Sequence, residues 1–127
     1  MGQHLLDEVR RIALELPGVS ERISHREPCF FVGKRPLCYF HEDHGGDGRI
    51  SLWCPAAPGV PEELTASEPS RFFRPAPSAS GVFATWLGVY LDTDGDDRVD
   101  WSEIADVIED AYRTVAPRSP IAELDGR

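Results

Sequence analysis

Apolar residues recur at helical spacing in the first segment, "HLLDEVRRIALEL" (4–16). Leu5, Leu6, Val9, Ile12, Ala13 and Leu16 share one side, and Asp7, Glu8, Arg10, Arg11 and Glu15 take the other. That is the pattern of an amphipathic helix laid on a core, and "PGVS" (17–20) stops it. The period then changes. In "PCFFVGKRPLCYFH" (28–41) aromatic and β-branched residues flank "GKRP", which predicts a hairpin of two strands, 28–32 and 36–41. The polar, glycine-rich "EDHGGDG" (42–48) leads to a third strand, "RISLWC" (49–54). There Ile50, Leu52 and Cys54 alternate with Arg49, Ser51 and Trp53.

A proline-rich crossing follows over 55–80. It contains a short helix in "PEELTASE" (61–68), with Pro61 in its first turn and Glu62 and Glu63 near its N-terminus. "RFFRP" (71–75) is a short edge strand. "GVFATWLGVYL" (81–91) is a longer one, with Thr85, Leu87, Val89 and Leu91 facing one way and Trp86 and Tyr90 the other. Beyond an acidic turn, "DWSEIADVIEDAYRTV" (100–115) is a second strong helix, capped by Asp100 or Ser102 and ended by "APRSP". The order of elements predicts an α+β fold: an antiparallel sheet with the N- and C-terminal helices packed on one face. The domain is expected to span residues 1–117, with 118–127 a loose C-terminal tail.

Composition narrows the class. With 127 residues, 41% hydrophobic and 28% charged, the chain is expected to form one ordinary globular domain. No run approaches the ~18 apolar residues of a membrane span. The N-terminal stretch carries charges through its apolar positions and resembles no secretory signal, so a cytoplasmic location is expected. Cys29, Cys38 and Cys54 lack C-x-x-C spacing and are expected to be reduced and buried. The net charge of -9 is concentrated at one end. Residues 1–40 hold six Lys/Arg against five Asp/Glu, 41–91 three against six, and 92–127 four against eleven. A polarised charge of this kind leaves the front half able to meet an anion.

The acidic turn "DTDGDDRVDWSE" (92–103) has the ligand spacing of a calcium loop at Asp92, Asp94, Asp96, Asp100 and Glu103. Two features oppose that chemistry. Asp97 stands where the loop needs glycine for a sharp bend, and a strand rather than a helix enters the turn. The expected role is a solvated turn with a helix cap, and no metal or cofactor is expected. Cys38, His41, His44 and Cys54 are ligand types, but Cys38 and His41 point to opposite faces of a strand; zinc needs four converging donors. The expectation is a buried thiol and two exposed histidines. His25 and Cys29 lack a third, orienting residue for nucleophilic catalysis. "GGDG" has neither the spacing nor the lysine of a phosphate loop, and no enzyme activity is expected.

Several blocks together resemble the MmcQ/YjbR family: "LPGVSER" (16–22), "SHREPCFFVGKRPLCYF" (24–40), "WCPAAPG" (53–59), "RFFRP" (71–75), "TWLGVYLD" (85–92) and "VDWSEIADVIEDAYRTVAP" (99–117). They occur in the family's order and cover nearly the whole chain. The resemblance implies a frataxin/CyaY-like α+β domain of the double-wing type, with DNA binding as its implied function. The basic side chains that would carry such binding are Lys34 and Arg35 at a hairpin tip, Arg49 at the start of a strand, and Arg71 and Arg74 beside the edge strand. Weak DNA binding through these wings is the expected activity. A protein partner held by the acidic C-terminal helix is the alternative.

Overall fold

The computed structural model describes residues 2–75, 83, 85–92 and 99–127. Helix α1 (Gln3–Leu14) buries Leu5, Val9, Ile12 and Ala13, the stripe that the periodicity predicts. The chain then forms β1 (Val19–Ser24), β2 (Glu27–Val32), β3 (Arg35–Glu42) and, past a 3-10 turn at His44–Gly46, β4 (Ile50–Pro55). Helix α2 (Val60–Ser67), β5 (Phe72–Phe73), β6 (Trp86–Tyr90), α3 (Trp101–Val115) and α4 (Arg118–Asp125) complete it. All strand pairs are antiparallel, in the order β1-β2-β3-β4-β6-β5. α1 and α3 pack on the same side of this sheet, as expected.

Two elements differ from expectation. β1 lies where only a helix stop was foreseen. Its loop to β2 is His25–Arg26, both with positive φ (54° and 70°). A two-residue hairpin of that shape ordinarily recruits Asn or Gly, so the turn carries no signature. Burial along β1 is only partial, and its place is secured instead by Arg10, which grips Glu21 through two bonds of 2.6 and 2.9 Å. The C-terminal segment is the second difference. Residues 118–125 are helical rather than loose, because Ile121 and Leu124 pack against the core.

The hairpin between β2 and β3 is tighter than "GKRP" suggests. Val32 pairs with Arg35 across Gly33 and Lys34, and Gly33 takes φ 61°, the shape of a turn with glycine first. The register shifts between Phe30 and Phe31, so Leu37 is an extra residue on β3. Such a bulge breaks strict alternation. Leu37 and Cys38 accordingly both enter the helix-side core.

That core joins Leu5, Val9, Phe30, Leu52, Val89, Ile108 and Tyr112, all at most 1% exposed. Each such side chain contributes about 1.5–3 kcal/mol by leaving water. The Tyr112 hydroxyl donates to the Pro17 carbonyl at 2.6 Å and ties α3 to the end of α1. Asp100 caps α3, accepting from the amides of Ser102 and Glu103. Among the described residues no helix is long and apolar enough to cross a membrane.

Candidate functional site

The face of the sheet turned away from α1 and α3 is built in rows. Cys29, Tyr39, Trp53, Gly88 and Phe73 follow one another across β2, β3, β4, β6 and β5. The next row runs His41, Ser51, Tyr90. Strand alternation separates these residues from the helix-side core, as "RISLWC" and "TWLGVYL" predict. Phe83 closes over the layer, edge-on to Tyr39, Trp53 and Trp86. Gly88 is needed here, because a Cβ on it would stand 2.3 Å from the Phe73 ring. Trp53 and Trp86 are 8% and 6% exposed, so they build this layer and offer no free stacking platform.

His41 belongs to this layer and is only 4% exposed, against the expectation of an exposed side chain. The aromatic neighbours bury it. It stacks on Tyr39 at 5.8 Å and meets Trp53 at 4.2 Å. Burial, with the nearby His44, pushes its pKa down to about 4, so the ring is neutral at physiological pH. His44 stays exposed and lies over His41 with ring centres 4.4 Å apart. Glu27, at the start of β2 beside β3, places its Oε1 3.8 Å from His41 Nδ1, and burial raises its pKa. Neither Cys38 nor Cys54 joins this group. Cys38 faces the helix side, and burial raises its pKa well above that of an ordinary thiol.

The nucleophile pair is not assembled. His25 Nδ1 lies 3.1 Å from Ser24 Oγ, which in turn meets the Tyr39 hydroxyl at 3.2 Å. Cys29 is buried, and desolvation lifts its thiol to about 12, where the thiolate is scarce.

The predicted cations divide into two sets. Arg49 binds Asp92 at 3.0 Å and covers the Tyr90 ring. Arg71 pairs with Glu68 and Glu103, and Arg74 with Glu62. Lys34 and Arg35 are exposed at the β2–β3 tip. Arg35 donates to the Val115 carbonyl at 3.3 Å. Arg22, on β1, reaches the Gly33 carbonyl and covers Phe31, and Arg118 begins α4 just after Val115. None of these last four forms an ion pair with a carboxylate among the described residues.

Strand β6 enters the acidic turn, as expected. Asp92 is held by Arg49 and the Ile50 amide, Asp100 by the start of α3, and Glu103 by Arg71. Asp94 and Asp96 lie outside the described residues.

The model of the YjbR family matches residues 14–114. The chain belongs to the YjbR family. Its fold is similar to the crystal structure of Deinococcus radiodurans protein DR2400, which carries a DUF419 domain. The TM-score is 0.66 at 22% identity, over 94% of this chain and 87% of that one. No curated protein matches the chain. For this YjbR domain the match spans both the aromatic layer and the β2–β3 tip; it assigns chemistry to neither.

Proposed function

We propose that this YjbR domain is a non-enzymatic module that holds a nucleic-acid phosphate backbone at the β2–β3 tip. The observation that carries the reading is the division among its cations. Arg49, Arg71 and Arg74 already lie against carboxylates. Lys34 and Arg35 form the hairpin tip, Arg22 reaches the Gly33 carbonyl beside it, and Arg118 begins α4 just after the Val115 carbonyl that Arg35 meets, all without a described acidic partner. A guanidinium that meets only a backbone carbonyl keeps its full charge and its remaining donors for phosphate oxygens. The interface is therefore one corner rather than two wings. The net charge of -9 makes contact weak and dependent on ionic strength.

Anisotropy of labelled duplex DNA across a salt series tests this. Three or four phosphate contacts give a log–log slope of about -3, and K34A/R35A reduces it by about two units. R71A/R74A is expected to leave the slope unchanged. An unchanged slope in K34A/R35A, or no binding at about 50 mM salt, contradicts the reading.

A further inference from the structure

Glu27, His41 and His44 are brought together by the fold from two stretches of chain, the start of β2 and the end of β3 with the turn that follows it. Glu27 opens β2 and faces His41 near the end of β3; His44 returns over His41 through the turn after β3. That return depends on left-handed backbone at Asp43 and Gly45, with φ of 57° and 63°. One oxygen of Glu27 and one nitrogen from each ring lie within 4.8 Å of one another.

The second observation is independent of that convergence. His41 is 96% buried by the complement of its 4% exposure, yet neither Nδ1 nor Nε2 has a hydrogen-bond partner among the described residues. A polar group buried without a partner costs about 1–3 kcal/mol, and buried polar atoms in folded proteins are almost always satisfied. The Glu27 oxygen at 3.8 Å is too distant to serve. The face toward Tyr39 and Trp53 is aromatic, so the ring's polar edge is left to Glu27 and His44.

We propose that Glu27, His41 and His44 bind a divalent first-row transition ion, zinc in the first instance, as three protein ligands with one position left open. Two imidazoles and a carboxylate suit zinc and its neighbours, whereas calcium and magnesium select sets made of oxygen. Donors about 2.0–2.2 Å from a tetrahedral zinc stand about 3.3 Å apart, so the set must contract modestly. The exposed His44 and half-buried Glu27 have room to do so, while packing fixes His41. Binding would occupy a ring nitrogen of His41 that otherwise has no partner among the described residues.

Isothermal titration of the untagged chain with zinc chloride at neutral pH tests the site. The expected result is one ion per chain, with H44A and E27Q each weakening affinity about tenfold or more. Near-UV circular dichroism should show both variants folded, because neither side chain belongs to the core. Absence of saturable binding overturns the proposal. So does an affinity that H44A and E27Q leave unchanged, or zinc displaced by an equal concentration of calcium, which would place the ion among oxygens.

Discussion

The two faces of the sheet bury comparable side chains but treat polar atoms differently. On the helix side, the buried Tyr112 hydroxyl has a short bond to Pro17. On the other, His41 and the Trp53 indole nitrogen are buried without a partner among the described residues. Packing on the first face is closed by the apolar stripes of α1 and α3, with the Tyr112 hydroxyl satisfied where it enters. The second holds histidines, a carboxylate and aromatics in one layer. Unpaired polar atoms cost stability, so a face that keeps them is where binding is to be sought.

Substitutions that separate the faces should differ in size. The largest effect is expected from Phe30→Ala on the helix side, about 3–5 kcal/mol in urea denaturation, since the ring is fully buried and leaves a cavity. Gly88→Ala strikes the other face by overpacking. Its Cβ would meet the Phe73 ring at 2.3 Å, and a loss of about 1–3 kcal/mol follows if the ring must move. Tyr112→Phe removes a single hydroxyl and leaves the Pro17 carbonyl without it, for about 1 kcal/mol. Should Gly88→Ala cost nothing, the aromatic layer is looser than described.

Most of the helix face was legible in the chain because its signals are periodic. Leu5, Val9 and Ile12, or Ile104 and Ile108, declare a buried stripe without knowledge of the partner. Alternation likewise separated Trp53 and Trp86 from Leu52 and Leu87. Alternation does not say whether a second face will be covered, and so His41 was expected to be exposed. β1 was hidden by a turn built from His25 and Arg26 in a conformation that neither advertises. The segment "IAEL" is too short to show helical periodicity, although Ile121 and Leu124 anchor α4.

The candidate site was harder to see for a geometric reason. Counting equal steps outward from Gly33 and Lys34 pairs Glu27 with Phe40. Only the extra residue at Leu37 shifts that pairing to His41. The bulge is a property of the folded sheet, since Leu37 and Cys38 both find room in the core. The basic residues show a similar limit. Their positions were readable, but whether a carboxylate would claim them depended on long-range pairing such as Arg49 with Asp92.

Thermal unfolding of wild type and His41→Phe, each with and without zinc, tests the division between the faces most directly. Phenylalanine keeps a flat ring between Tyr39 and Trp53 and removes both unpartnered nitrogens. Without metal, His41→Phe is predicted to match or exceed wild type in stability, within about 1 kcal/mol. Zinc at about a hundred times its Kd should stabilise wild type by about 2.7 kcal/mol and leave the variant unchanged. A variant several kcal/mol less stable without metal, or one that zinc still stabilises, would contradict the account.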